Sequence, residues 1–189
     1  MQILLEDYRV GAAVATDLVN SAPEVMSGRD TLPDAAALTR FLAERGLGPD
    51  APPSAADVAA VHALRRTLRA ALEHPEPGCL AALTATAGGL DLHRDAEGRW
   101  QWHVRARPGA PLADRLALLS GTALLSTLRA LGPDRIRHCA APTCDGMFVD
   151  TSRAGRRRYC VPEVCGNRVH VANHRARRRT DRTSGTPVR

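Results

Sequence analysis

The stretch that decides the organisation of this chain is HCAAPTCDGMFVDTSRAGRRRYCVPEVCGNR, residues 138–168. It contains two cysteine pairs with the same internal spacing, Cys139 with Cys144 and Cys160 with Cys165. Two short loops that each deliver two thiolates can bind one zinc ion in a tetrahedron, and such an ion folds a segment too short to fold by burial alone. The spacing therefore predicts a structural Zn²⁺ site, with an iron–sulfur cluster, a redox disulfide pair and unrelated thiols as the alternatives.

The order of the segments around these cysteines indicates the fold of the module. Gly146 follows the first pair, MFVD and RRRYC are possible strands of a hairpin, and CGNRVHVANHRARRR can form a helix. We expect a treble-clef-like zinc module with a basic helix over residues 135–180, followed by a disordered tail over 181–189. A Cys160→Ser change is then expected to unfold this module without unfolding residues 1–134.

Positive charge is concentrated at the same end of the chain. Residues 135–189 carry thirteen arginines and four acids, a net charge of +9, whereas residues 1–134 carry −3. Such one-sided charge causes self-repulsion unless a polyanion neutralises it, so the pattern favours contact with nucleic acid. The candidate contact residues are Arg153, Arg156, Arg157, Arg158, Asn167, Arg168, His174, Arg175, Arg177, Arg178 and Arg179.

Residues 1–134 are predicted to be mainly α-helical with a small β-hairpin. Ser54 and Asp57 form a capping-box pattern at the clearest helix, and LDLHRDAEGRWQWHVRA alternates like two strands around a turn. Trp100 and Trp102 share one strand face and are expected to anchor the core rather than to line a pocket. Asn20 is expected either to face a pocket or to cap a helix.

Other features exclude whole classes of protein. No stretch has the roughly 20 apolar residues of a membrane span, and acids stand where a signal peptide needs positive charge. We therefore expect a cytoplasmic, nucleoid-associated protein without membrane contact, in which clustered cysteines bind metal rather than form disulfides. No catalytic set can be assembled, so we expect no enzyme.

At CGNR, residues 165–168, and in the preceding MFVDTSRAGRRRYC, the chain resembles the CGNR zinc-finger family. More weakly, ATDLVNS and LTRFLAERGL resemble the ABATE domain, which is paired with this finger in bacterial stress-induced transcription regulators. The resemblance implies a DNA-binding bacterial regulator in which Cys139, Cys144, Cys160 and Cys165 are the zinc ligands.

The leading hypothesis is a two-part bacterial regulator, in which residues 1–134 sense a small-molecule effector or mediate assembly and the zinc module binds DNA. A homodimer is possible, with the segment PLADRLALLSGTALLSTLRALG as a candidate interface or core helix. The alternatives are an RNA-binding or ribosome-associated zinc module and an interaction module that docks an acidic protein partner.

Overall fold

The computed structural model describes residues 3, 7–95 and 97–184, without the side chains at 173, 176 and 179–184. The helices are α1 (Tyr8–Asn20), α2 (Ala35–Glu44), α3 (Ala55–Glu73), α4 (Pro77–Ala82), α5 (Leu112–Leu131) and α6 (Asn167–Ser184). The strands are β1 (Ala87–Arg94), β2 (Trp100–Ala106), β3 (Ile136–His138) and β4 (Met147–Val149). The mainly α fold with a small hairpin and a C-terminal cysteine module is confirmed, with β3–β4 as a second antiparallel pair.

Helix boundaries follow the capping residues. Ser54 and Asp57 bond to each other's backbone amides at the start of α3, which is the predicted capping box. The Asp34 side chain accepts a hydrogen bond of 2.7 Å from the amide of Ala37 at the start of α2.

The core lies where α1 crosses α5. A side chain at Gly11 would place its Cβ 2.5 Å from the Cβ of Ala123 and 2.6 Å from the carbonyl oxygen of Leu119. Only glycine allows this close approach, which makes α5 a central core helix that buries Leu116, Leu119 and Leu124 among others. Within the described ranges, no helix has the length and apolar character needed to cross a membrane.

The hairpin β1–β2 forms as predicted, but its tryptophans do not anchor the core. Trp100 is 59% exposed and Trp102 is 43% exposed, so the expectation that they are core anchors is wrong. Of the alternating residues on this face of β2, only Val104 reaches the core. Apart from its inner end at Val104, this face of the hairpin is therefore exposed.

The strands of the cysteine module also pair differently from the prediction. β4 pairs with β3, which precedes the first cysteine pair, whereas residues 156–160 form no strand. The first cysteine pair therefore lies in the loop between two hydrogen-bonded strands. The loop of residues 150–159 is held by side chains and by single backbone hydrogen bonds, such as the 2.8 Å bond from the Ala140 amide to the Arg158 carbonyl.

Two side chains of α1 bind the free edge of β4. Asn20 donates from Nδ2 to the Met147 carbonyl over 2.6 Å and accepts at Oδ1 from the Met147 amide over 3.0 Å. One turn earlier, Thr16 Oγ1 accepts from the Val149 amide over 3.1 Å. Both side chains are buried, so α1 occupies the place that a third strand would take beside β4.

The body and the cysteine module consequently share one core. Met147 and Val149 pack within the same apolar cluster as α1, α3 and α5. This packing argues against the expectation that a Cys160→Ser change would leave residues 1–134 intact. Beyond the module, α6 runs to Ser184 where a disordered tail was expected from residue 181, and residues 185–189 lie outside the described part.

Replacing Thr16 by Val should lower the free energy of unfolding by about 1–3 kcal/mol, because the buried amide of Val149 loses its acceptor. Urea denaturation measures this change. The matched control is Thr39→Val, since Thr39 also donates to the carbonyl four residues earlier but is exposed and makes no other hydrogen bond to the described residues. Equal effects of the two changes would contradict a junction held by Thr16.

Candidate metal centre

The four cysteine sulfurs converge at one point. The Sγ atoms lie 3.5 Å apart for Cys144 and Cys160, 3.7 Å for Cys160 and Cys165, and 3.6 Å for Cys144 and Cys165, and all four lie within 4.8 Å of one another. A tetrahedral ion with bonds of about 2.3 Å needs sulfurs about 3.8 Å apart. The cluster therefore fits a single ion, leaves no room for the several metal atoms of an iron–sulfur cluster, and contains no disulfide.

Two kinds of turn deliver these thiols. Cys139 donates its amide to the Gly146 carbonyl over 2.7 Å, which closes the loop between β3 and β4 around the first pair. Cys160 lies just before a π-helical turn, Pro162–Gly166, which contains Cys165 and leads directly into α6. Each turn also aims an amide at a sulfur, as when the Cys160 amide donates to the Sγ of Cys139 over 3.4 Å.

The pKa shifts of the clustered thiols indicate that their ionised forms need a cation nearby. Burial raises the pKa of the Cys165 thiol to about 11 and raises that of Cys160 further. Burial also opposes ionisation of Cys139, but the amides of Ala141 and Cys160 lower its pKa. Four thiolates this close repel one another unless a metal ion neutralises them. Metal binding must therefore release protons, and metal affinity must fall as the pH falls.

Gly146 lies where the metal centre meets the body. A Cβ at this position would lie 2.5 Å from the Sγ of Cys160, 2.8 Å from Oδ1 of Asn20 and 3.1 Å from the Sγ of Cys144. Two of these atoms are sulfurs of the cluster and the third holds β4. No side chain fits here without displacing either the cluster or the junction.

The loop of residues 150–159 folds around a buried carboxylate that sequence reasoning missed. Asp150 accepts 2.6 Å and 3.0 Å hydrogen bonds from the side chain and amide of Ser152, and a 3.0 Å bond from the amide of Arg157. Although burial opposes ionisation, these hydrogen bonds lower the pKa of Asp150. The Asp-x-Ser pattern in VDTS was the available signal, because such residues favour local side chain to backbone bonds.

Arginines of β3 and its flank clamp the same loop. Arg135 donates to the Ser152 carbonyl over 2.7 Å, and Arg137 donates to the Gly155 carbonyl over 2.9 Å. Gly155 has a φ of +61°, and a Cβ there would lie 2.7 Å from the guanidinium carbon of Arg135. These two arginines are therefore structural and reduce the charge that is open to a partner.

Arg157 is a predicted nucleic-acid contact, but its guanidinium makes its hydrogen bonds within the module. Its guanidinium donates to the carbonyls of Tyr159 and Cys160 and lies 4.8 Å from the centre of the Phe148 ring. Asn167 is also partly committed, since its side chain donates to the Glu163 carbonyl over 2.6 Å. Both residues hold the cysteine cluster in shape.

The remaining predicted contacts are exposed. Three arginines of the loop point outward, with the Arg158 guanidinium 5.8 Å from the centre of the Tyr159 ring. On α6, Val169 packs against the cysteine cluster, and the exposed residues occupy other faces. The side chain of Arg179 lies outside the described residues. The exposed candidates are Arg153, Arg156, Arg158, Arg168, His174, Arg175, Arg177 and Arg178.

Residues 12–133 match the family model described as "Putative stress-induced transcription regulator", the ABATE model. The chain belongs to the ABATE family. Residues 135–178 match the CGNR zinc finger, so the ABATE region comes first and the finger follows. No curated protein matches the chain.

Both family motifs now have physical explanations. In the ATDLVNS segment of the ABATE region, Thr16 and Asn20 bind the finger, and Asp17 forms a 2.8 Å ion pair with Arg45. In CGNR, Cys165 joins the cluster, Gly166 is buried in the turn, Asn167 holds the turn, and Arg168 is exposed. The protein thus has a metal site of the zinc-finger type, in a family assigned to transcription regulation.

Replacing Gly146 by Ala should abolish tight metal binding, because the new Cβ would overlap a cluster sulfur. Metal content after dialysis and the thiolate absorption of a cobalt-substituted sample measure this effect. The control is Gly48→Ala, since a Cβ at Gly48 meets nothing within 4 Å. Full metal content in Gly146→Ala would contradict the proposed crowding at this glycine.

Proposed function

We propose that the protein is a bacterial transcription regulator that binds DNA through its CGNR finger and is controlled through its ABATE domain. The observation that supports DNA binding is a row of exposed arginines on a helix that starts at the metal centre. Arg168, Arg175 and Arg178 recur at helical spacing, and residues 167–178 contain no acid. Phosphates of a duplex would neutralise this row.

A structural zinc ion would fix the direction of the row. The ion would hold Cys165 at the start of α6, while Val169 packs against the cluster one turn later. The arginines therefore project from an anchored helix rather than from a flexible tail. An ordered cationic helix loses less entropy on binding than a disordered one.

Val171 lies in the middle of the arginine row and is 48% exposed. A soluble surface does not require an apolar side chain at this position. In the major groove, such a side chain can contact the methyl group of thymine. His174 is exposed near it and can donate to a base edge or a phosphate. Arg153, Arg156 and Arg158 in the loop would add further phosphate contacts.

The function proposed is binding rather than catalysis, since four thiolate ligands complete the coordination of zinc and leave no open position for a substrate. Such a regulator would act in the cytoplasm on the nucleoid. The same cationic surface would also suit structured RNA or an acidic protein, which are the outcomes that the following experiment must distinguish.

The double change Arg175→Ala and Arg178→Ala should weaken DNA binding and reduce the slope of log K against log salt by about 2, because two phosphate contacts are lost. Fluorescence anisotropy over a salt series measures the slope. The control is Arg9→Ala with Arg40→Ala, which removes the same charge from exposed positions on α1 and α2.

Equal losses in both double variants would indicate a net-charge effect and contradict a contact surface on α6. Tighter binding of structured RNA than of duplex DNA at matched salt would favour the RNA alternative. A shallow salt slope with nucleic acid, together with tight capture of one acidic protein, would favour the interaction module.

Control by the ABATE domain is supported by a cavity of about 510 Å³ between α1, α3 and the cysteine loop. Val19 and Val25 contribute apolar walls. The charged lining residues are Arg65, Arg66, Arg69, Glu24, Glu73 and Asp145. Arg65 is already bound to Asp30 over 2.8 Å, whereas no partner of the Arg66 side chain is found within the described part of the chain. The cavity therefore suits a small effector with an apolar body and a charged group.

Arg69 connects this cavity to the finger. Its guanidinium donates to Glu73 over 2.6 Å on α3 and also to the carbonyl of Asp145, which lies between Cys144 and Gly146. A ligand that moves Arg69 would therefore act on the loop that holds the first cysteine pair.

Replacing Arg69 by Ala should change DNA affinity by severalfold, because the link to the cysteine loop is removed. Arg66→Ala removes the same charge one helix turn away and should leave the affinity of the ligand-free protein within about twofold. Anisotropy with one duplex measures both. Wild-type affinity in Arg69→Ala would show that this cavity is not coupled to the finger.

A further inference from the structure

One face of the β1–β2 hairpin is apolar and exposed. The antiparallel register pairs Leu90 with Val104, Leu92 with Trp102 and Arg94 with Trp100, so these residues share one face. Val104 is buried at the inner end, but Leu90 is 59% and Leu92 is 44% exposed, beside the exposed tryptophans. The apolar hairpin face is defined by Leu90, Leu92, Trp100 and Trp102.

The opposite face of the same hairpin is polar. Asp91 pairs with His103, and His93 pairs with Gln101. This alternation is typical of a sheet with one face buried and one face in water. Within the described ranges, no helix or strand covers the apolar hairpin face, although its sequence has the pattern of a covered one.

The size of the patch is also unusual for a free surface. Two tryptophans and two leucines at these exposures present roughly 400–500 Å² of apolar area, which is the range of functional patches on soluble proteins. Both tryptophans of the chain lie in it. Arg94 stacks at its outer end, with its guanidinium 4.4 Å from the Trp100 ring centre. Trp and Arg are the residue types most enriched among interface anchors.

The two edges of the hairpin differ in their hydrogen bonding. β2 continues the sheet hydrogen bonding on its outer side, where the Val104 amide donates to the Ile3 carbonyl over 2.8 Å. β1 pairs with β2 alone among the described strands. A two-stranded hairpin with an open edge and an open apolar face is marginally stable, so a partner would stabilise it.

We propose that the apolar hairpin face binds the same face of a second copy of this chain, in a symmetric dimer. Two such patches bring roughly 800–1,000 Å² of apolar area together, which is close to the approximately 1,000 Å² expected of a biological interface. The ion pair of Asp91 and Arg105, at 3.8 Å, lies on the opposite, polar face and stays outside such a contact, in which the two copies meet apolar face to apolar face about a twofold axis.

The dimer is independent of the DNA-binding proposal and adds to it. If both hold, one assembly carries two copies of α6, as recognition of a symmetric site requires. The candidate interface helix considered from sequence, α5, is unsuitable because most of its length is buried in the core.

The test uses the zinc-loaded full chain over a concentration series. Sedimentation velocity measures the mass of the assembly, and intrinsic tryptophan fluorescence reports whether the apolar hairpin face is covered. Because both tryptophans lie in the proposed interface, emission should shift to shorter wavelength as the dimer forms. Leu92→Arg should weaken the dimer by at least about tenfold, with emission at longer wavelength. His93→Arg makes the same change one residue away on the polar face and should leave the dimer intact.

Circular dichroism and metal content establish that the variants are folded. Trp100→Gln, at the most exposed position, provides a second variant that should also weaken the dimer by about tenfold or more. A wild-type monomer at all concentrations would overturn the proposal. So would short-wavelength emission from a monomer, because the face would then be covered by its own chain. Equal dimerisation of Leu92→Arg and His93→Arg would likewise overturn it.

Discussion

The structure depends on the hydrogen bonds between Asn20 and the backbone of Met147. One amide side chain satisfies both the N–H and the C=O of a buried strand residue, beside the glycine that contacts two cysteine sulfurs. The metal cluster lies where β4 packs against α1, and the body supplies apolar surface that covers Met147 and Val149 of the small module. Buried hydrogen bonds and a shared apolar cluster therefore join the finger to the ABATE region.

This arrangement gives the arginines two different tasks. Arg135, Arg137 and Arg157 donate to carbonyls and hold the loop around Asp150, whereas residues 167–178, which carry the exposed arginines of α6, contain no acid. The net charge of residues 135–189 counts the structural and the exposed arginines equally. The surface open to a polyanion is thus smaller than the charge of the segment indicates, but its orientation is defined by the metal centre.

The cavity, the finger and the apolar hairpin face all adjoin the same apolar core. Arg69 links the cavity to the cysteine loop, and α1 and α5 link the loop to the body from which the hairpin projects. A regulator needs to couple ligand, assembly and DNA contact, and a shared rigid core transmits such changes because packed interiors do not deform continuously. The proposed roles are consistent with one another for this reason.

How far the sequence predicts this protein depends on the range of the interactions. Helix caps such as Ser54 with Asp57, the alternation of β1–β2 and the two cysteine pairs are local patterns, and the sequence alone determined them. The partner of β4, the exposure of Trp100 and the commitment of Arg157 depend on residues distant in the chain. Asn20 shows this most clearly, since its partner lies 127 residues away. Only the tertiary structure could decide these points, because a polar or aromatic side chain carries no local sign of which distant group it will meet.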